Sequence, residues 1–157
     1  MTARPKDIGT AAETAVVRAL RRLGFPHAER RALAGAHDLG DVTGTPGVCW
    51  EVKGGQQTKH PRPSDLTVAQ WMAETEAERI NARADIGVLV IQRHGVGAAN
   101  AHLWWAYMPT WQTAWVATGH LVADRQVGDI RARMLLADAC TLLRAAGYGQ
   151  PLPEEPR

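Results

Sequence analysis

The sequence predicts an α/β fold in which a mixed central β-sheet is flanked by helices. Three observations carry this prediction: apolar side chains recur at helical spacing over residues 10–23, alternate with other side chains over 48–53, and run without interruption over 86–91. A short, uninterrupted apolar run is typical of a strand that is buried on both faces. Helix and strand signals alternate along the chain, which indicates helices packed against a sheet. A length of 157 residues suits a single domain over 1–157.

The first helix is expected to begin at Thr10, after a loose N-terminal arm, and to end at Gly24. Its apolar positions are Ala12, Val16, Ala19, Leu20 and Leu23. Glu13 follows Thr10 at the spacing of a capping box, in which a glutamate satisfies a backbone N–H at the helix start. Capping and a role in a functional site both remain open for Glu13.

Three short strands are expected next, over residues 27–33, 41–43 and 48–53. The turn over residues 44–47 contains two glycines and a proline, so it is expected to join the last two strands as a hairpin.

The third of these strands places charged side chains on one face. Because side chains alternate along a strand, Cys49, Glu51 and Lys53 share the face opposite three apolar residues. The chain has only three lysines, at positions 6, 53 and 59, and otherwise uses arginine for positive charge. Charges inside an apolar strand require a partner or a function.

A second helix is expected from its cap at Ser64 to about Ala84, after a polar loop. Strands are expected over 86–91 and 102–108, which would complete a core over about residues 9–108. Two further helices are expected over 110–118 and 129–146, within a C-terminal helical extension over about 110–148.

Composition restricts the class of protein. The net charge is only +2, and the two cysteines, Cys49 and Cys140, lack the paired spacing of a zinc site. The chain has no apolar run of the roughly 20 residues that a membrane helix needs, and no signal-peptide pattern at its start. A cytoplasmic protein without membrane partners is therefore expected.

The predicted hairpin gathers opposite charges. Asp41 stands at the end of one strand, and Glu51 and Lys53 project together from the next. Mg²⁺ and Mn²⁺ prefer oxygen ligands, commonly carboxylates together with water and phosphate oxygens. Such an ion activates water and neutralises charge on a phosphate, while a nearby lysine can orient the water. The pattern therefore predicts metal-dependent phosphodiester hydrolysis.

The same residues resemble the signature of the PD-(D/E)XK nucleases. Gly40-Asp41 is followed after nine residues by Glu51-Val52-Lys53, although Gly40 stands where that family commonly has proline. The resemblance covers residues 9–55 and is closest to the archaeal-type and phage Holliday junction resolvases. Further residues follow the order seen in that group: Gly9, Ala12-Glu13, Gly24-Phe25, and Arg30 or Arg31. Gln70-Trp71 is also similar to a feature of the VRR-type nucleases.

The resemblance implies a restriction-endonuclease-like α-β-β-β-α-β core with C-terminal helices. It implies that Asp41, Glu51 and the Val52 carbonyl bind Mg²⁺, or Mn²⁺ in its place, and that Glu13 is a further ligand. Lys53 would orient the attacking water. The expected activity is that of an endonuclease in DNA recombination or repair, of phage or prokaryotic type, which leaves 5′-phosphate and 3′-hydroxyl ends. The expected substrate is branched DNA.

Several basic and polar residues are candidates for nucleic-acid contacts. Arg30 and Arg31 in the first strand, and Lys59 and Arg62 in the loop after the hairpin, would flank the acidic centre and could bind phosphates. Gln70 on the second helix is a further candidate. The simpler interpretations are scattered surface charge and a solvent-facing helix residue.

Other acids on the second helix are expected to be solvated. Glu74, Glu76 and Glu78, with Arg79 and Arg83, fit a charged helix face supported by pairs one turn apart. Asp38 could replace Asp41 or bind a second ion, but a turn role suits it better.

Three broader alternatives remain open. Asp41, Glu51 and Lys53 could form a simple surface ion pair on a hairpin. The chain could be a different nuclease of the same superfamily, such as a repair or restriction-like enzyme acting on flaps, single strands or duplex. It could also be a non-catalytic nucleic-acid-binding module. A homodimer is the expected assembly, and a group of aromatic residues could lie at its interface: Trp104, Trp105, Trp111 and Trp115.

Overall fold

The structure is a computed structural model that describes residues 5–32, 38–55 and 63–154. Its helices are α1 (Pro5–Arg22), α2 (Asp65–Asn81), α3 (Thr110–Thr118), α4 (Arg125–Gly128) and α5 (Leu136–Ala145), with a 3₁₀ helix over Ala98–Leu103. Its strands are β1 (Glu29–Arg30), β2 (Val42–Thr43), β3 (Val48–Lys53), β4 (Ile86–Ile91), β5 (Trp105–Pro109) and β6 (Arg131–Leu135).

The main sheet has four strands in the order β3-β4-β5-β6. The pair β3 and β4 is parallel, whereas β4 with β5 and β5 with β6 are antiparallel. The predicted α/β class with a mixed sheet and flanking helices is therefore confirmed. Up to β4 the elements follow the order α-β-β-β-α-β.

Strands β1 and β2 form a separate two-stranded antiparallel ribbon. The ribbon is attached to β3 by the backbone N–H of Asp41, which donates to the carbonyl of Trp50 at 2.8 Å. The turn at 44–47 does return the chain into β3, but no continuous ladder joins β2 to β3 in the described residues. The predicted hairpin is thus reduced to a short contact, and that contact lies at Asp41.

Helices cover both faces of the sheet. On one face Val48, Trp50 and Val52 belong to the main core together with apolar residues of α1 and α5. On the other face Trp71 of α2 packs with Ile91 in a smaller core. The face of β3 that carries Glu51 and Lys53 is therefore covered by α2 and is not a solvated strand surface.

The start predicted for the first helix is wrong. Helix α1 begins at Pro5 and not at Thr10, and proline suits a first helical turn because its missing N–H has no partner there. Glu13 consequently lies well inside the helix. The capping-box interpretation of Thr10 and Glu13 is therefore wrong.

The helix predicted over 129–146 is also wrong. Residues 131–135 form β6, and only Leu136–Ala145 are helical. Arg, Ala, Met and Leu favour helices intrinsically, but pairing along the whole of β5 overrides that preference. The extension after Pro109 therefore contributes a strand to the sheet and is not purely helical.

The predictions for α2, β4 and α3 are confirmed. Ser64 caps α2 by accepting from the Thr67 N–H at 3.1 Å, β4 has the predicted bounds, and α3 begins and ends as predicted. Across the described residues, helices that combine the length and apolarity needed to cross a bilayer are absent.

Candidate active site

Asp41 and Glu51 meet at the edge of β3. The Oδ2 atom of Asp41 accepts a hydrogen bond from the backbone N–H of Val52 at 2.7 Å, which fixes the carboxyl group against the strand. Besides burial, the charge of Glu51 raises the pKa of Asp41, so the two carboxyl groups lie close together. Glu51 is only 7% exposed. Two carboxyl groups from separate segments are therefore brought to one place.

Lys53 lies beside this pair. Its Nζ atom is 2.6 Å from Oε1 of Glu51 and 3.1 Å from Oε2 of Glu74, and it lies 5.8 Å from the centre of the Trp71 ring. Burial disfavours the charged form of Lys53, but the two carboxylates outweigh burial and raise its pKa. Lys53 is thus held as an ammonium group within the cluster.

Helix α2 adds an acid that was predicted to be solvated. Glu78 is only 6% exposed and lies close enough to Glu51 for that residue to raise its pKa. Its Oε2 atom is buried without a hydrogen-bond partner. The spacing along α2 could have revealed it, because Glu78 lies two turns after the buried Trp71 and shares its helix face.

The other acids of that helix differ from one another. Glu74 binds Lys53 and so belongs to the site. Glu76 pairs with Arg79 at 2.7 Å, as expected for a charged helix surface. The prediction of a uniformly solvated face is therefore correct for Glu76 and wrong for Glu78.

The buried carboxyl groups disfavour one another's ionisation. Burial, followed by the charge of Glu51, raises the pKa of Asp41 to about 8. Burial, followed by the interaction with Glu51, raises the pKa of Glu78 to about 9. The Lys53 ammonium offsets only part of this negative charge, so protons must neutralise the rest when no cation is bound. A cation could take their place.

The donor set suits a hard divalent cation. Across the described ranges, no three His, Cys, Asp or Glu side chains are arranged so that they could together hold a metal ion. Asp41 and Glu51 nevertheless supply two oxygen donors. The backbone N–H of Val52 points towards Asp41. Within a strand, the N–H and C=O of one residue point to the same side. The Val52 carbonyl therefore also points to the side of β3 on which Asp41 lies. The unpartnered oxygen of Glu78 lies on the same cluster.

Glu13 approaches the cluster from α1. Its charge contributes to the raised pKa of Asp41, and its Oε2 atom pairs with Nε of Arg30 at 2.9 Å. The Thr10 hydroxyl lies 3.4 Å from the same guanidinium. Arg30, predicted to bind phosphate, is therefore already paired with an acid.

The other arginine predicted to bind phosphate, Arg31, also lies beside Asp41. The backbone N–H of Arg31 donates to the Asp41 carbonyl at 2.8 Å. The Nε atom of Arg31 is buried without a hydrogen-bond partner.

Gly40 determines how the chain enters Asp41. Its φ of +86° is accessible to glycine but not to proline, which is restricted to about −65°. A Cβ atom at this position would approach Sγ of Cys49 and the Trp50 carbonyl at 2.8 Å. Glycine in place of the proline of the resembled signature is therefore a requirement of this backbone.

The remaining predicted residues are peripheral or outside the described ranges. Gln70 is exposed and lies 3.4 Å from Glu74, so it touches the site only through that residue. Asp38 accepts from the Gly40 N–H at 3.1 Å, which is the expected turn role. Lys59 and Arg62 lie outside the described residues.

Comparisons of this chain with protein-family models, with curated proteins and with solved structures give no significant match.

Proposed function

We propose that this chain is a metal-dependent DNA endonuclease with a restriction-endonuclease-like core of the PD-(D/E)XK type. One observation carries the proposal: the Asp41 carboxyl is fixed on β3 by the Val52 N–H at 2.7 Å, close to the Glu51 carboxyl, and the Lys53 ammonium lies 2.6 Å from Glu51. A simple surface ion pair on a hairpin would not have to be covered by helices, whereas α1 and α2 cover this cluster from both sides. The element order up to β4 is compatible with the proposed core.

Asp41, Glu51 and the Val52 carbonyl would hold the cation. Among the described residues no third carboxylate is placed to bind the same ion directly, so Glu13 or Glu78 would contribute through a bound water. When bound, a Mg²⁺ or Mn²⁺ ion supplies positive charge for the phosphate and lowers the pKa of water. The Val52 N–H keeps the Asp41 carboxylate oriented before substrate arrives. Such fixed positioning avoids reorganisation during the reaction.

Lys53 would act on the water and on the developing charge. Its ammonium lies at the cluster, held by Glu51 and Glu74, and can orient a water molecule towards phosphorus and stabilise negative charge on the phosphoryl oxygens. The oxygen of water forms a bond to phosphorus as the bond from phosphorus to the 3′ oxygen breaks. The products would be a 5′-phosphate and a 3′-hydroxyl.

The preferred substrate is proposed to be branched DNA, on the strength of the resemblance to Holliday junction resolvases. A homodimer would place two such sites in one particle. Symmetric paired cuts in a four-way junction would require that pairing, whereas cuts in flaps, single strands or duplex would identify another nuclease of the same superfamily.

The test is cleavage of a synthetic four-way junction, a flap and a linear duplex by the purified chain with Mg²⁺ or Mn²⁺. We expect Asp41→Asn and Lys53→Ala to lower the rate by about a hundredfold or more, because each removes a group that stabilises the transition state. Asp138→Asn is the matched control, since Asp138 is exposed on α5. It should cleave like the wild type.

Two results would reject the proposal. One is the absence of cleavage of every substrate with either ion, which would favour a non-catalytic nucleic-acid-binding module if DNA is still bound. The other is cleavage that Asp41→Asn and Lys53→Ala leave unchanged, because the nuclease activity would then come from another site or another protein.

A further inference from the structure

Two arginines from different segments stack on one half-buried tryptophan, Trp105. The guanidinium carbon of Arg93 lies 4.5 Å from the centre of the Trp105 ring, and that of Arg133 lies 4.3 Å from it. Arg93 follows β4, Trp105 opens β5 and Arg133 lies in β6. The sheet therefore brings together two positive charges that are far apart in sequence.

Neither arginine has an acidic partner within the part of the chain that the structure describes. The other arginine that approaches a tryptophan, Arg79 near Trp111 at 5.5 Å, is paired with Glu76. Two positive charges beside one indole ring repel each other, and an anion bound between them would offset this repulsion. An arginine stacked on an aromatic ring still has N–H groups at its edge, and these match phosphate oxygens.

The pair lies on the same sheet face as the acidic site. Lys53 is in register with Ile91, and Ile91 is in register with Trp105. Neighbours in register project to the same face, so Trp105 shares the face of Lys53 at a Cα separation of about 10 Å, or two strand spacings. Gln92 connects the two regions, because its N–H donates to the Lys53 carbonyl at 2.9 Å and Arg93 follows it directly.

We propose that Arg93 and Arg133, stacked on Trp105, bind a backbone phosphate of the nucleic-acid strand that enters the acidic site. This inference extends the proposed nuclease function and rests on it, because the nuclease site determines where the DNA strand lies. The separation of about 10 Å between the Cα atoms of Trp105 and Lys53 places that phosphate within a few nucleotides of the bond that is cut. The contact would position the strand without reading its sequence.

The experiment measures binding of fluorescently labelled duplex and four-way-junction DNA in EDTA, over a series of salt concentrations. We expect the double variant Arg93→Gln/Arg133→Gln to bind about tenfold more weakly, and the slope of log K against log salt to fall by about one, because a phosphate contact is lost. Arg93→Lys/Arg133→Lys keeps both charges and should keep the salt slope. Arg125→Gln removes one positive charge from exposed α4 and should bind like the wild type.

The outcomes separate this inference from the proposed function. Wild-type cleavage with unchanged affinity and salt slope in the glutamine double variant would overturn the inference and leave the nuclease function intact. Wild-type protein that binds DNA through these arginines but never cuts it would support the inference and reject the nuclease. The inference would also be overturned if the wild-type protein bound neither the duplex nor the four-way junction.

Discussion

Among the residues whose role the sequence pattern predicted wrongly, Glu78 is the most important for the proposed site. It is buried beside Glu51, and one of its oxygens has no hydrogen-bond partner. A buried carboxyl group in that position is stable only when it is protonated or when a cation binds it. The residue therefore connects the stability of the apo protein to the proposed metal site.

We expect Glu78→Gln to make the apo protein at least as stable as the wild type near pH 8, because glutamine removes a carboxyl group that must otherwise stay protonated. The rise in Tm on adding Mn²⁺ should become smaller, because an oxygen with negative charge is lost from the cluster. Thermal unfolding with and without Mn²⁺ measures both effects.

Glu76→Gln is the matched control for this change, because it replaces a carboxyl group of the same helix at a residue that is paired with Arg79. Its Mn²⁺ response should equal that of the wild type. If Glu78→Gln responds to Mn²⁺ as the wild type does, Glu78 is only a structural acid.

The sequence made part of this site predictable. Alternation along β3 places Glu51 and Lys53 on one face, and a short turn brings Asp41 to the same strand, so local geometry was sufficient to group them. Glu74 and Glu78 are contributed by a helix that packs over β3, and their role depends on how far α2 is rotated about its axis. That rotation is determined by packing of residues such as Trp71, which the pattern of charges does not reveal.

At the scale of elements, the approach of α1 to the end of β3 positions Glu13 near Asp41. Gly54, the residue after β3, makes this approach possible, because a Cβ atom there would collide with Cβ of Ala12. Ala12 is buried in the main core and lies next to Glu13 in the helix. The distance between α1 and the site therefore depends on two small residues.

We expect Gly54→Ala to lower the free energy of unfolding by about 1–3 kcal/mol, because it overpacks this contact. Ala12→Gly should cost about 1 kcal/mol alone through helix propensity. The double variant Ala12→Gly/Gly54→Ala should be more stable than the sum of the two changes implies, because the collision is removed. Chemical unfolding of the four proteins measures this coupling.

Gly97→Ala provides the comparison, because no atom lies within 4 Å of a Cβ built at Gly97. It should have little effect on stability. Strict additivity of the two changes at positions 12 and 54 would show that Gly54 does not limit the approach of α1.

The elements also show which parts of the fold a sequence pattern can specify. Helix α2 and strand β4 were predictable because a cap or a continuous apolar run marks them locally. Strand β6 was not, since residues 131–135 have helix-favouring composition and become a strand only by pairing with β5. The start of α1 was placed too late, at Thr10, whereas Pro5 begins the helix.

At the scale of the whole molecule, the layers concentrate acids where α1, β3, α2 and the ribbon of β1 and β2 meet. The fold buries Glu78 and partly buries Asp41 beside Glu51, and this environment raises the pKa of both. An arrangement that disfavours ionisation in the folded state makes stability depend on pH, and a cation that binds the carboxylates should reverse that dependence.

The sign of the pH dependence follows from these shifts. In the unfolded chain Asp41 and Glu78 lose their protons near the ordinary values of 3.8 and 4.5, whereas in the folded protein they keep them to about 8 and about 9. Between these limits the folded state binds more protons, so its stability falls as pH rises, by about 1.4 kcal/mol per pH unit for each proton. We therefore expect the Tm of the apo protein to fall from about pH 6 to about pH 9.

Mg²⁺ or Mn²⁺ should raise Tm more at the upper end of this window than at the lower end, because at low pH the cation must displace protons before it binds. Asp41→Asn should flatten the pH dependence of the apo protein, whereas Asp138→Asn should leave it unchanged. A wild-type Tm that stays constant across the window, together with a cation effect that does not vary with pH, would show that the acids are not neutralised in the folded state. The carboxyl groups would then not be gathered closely enough to bind a common ion.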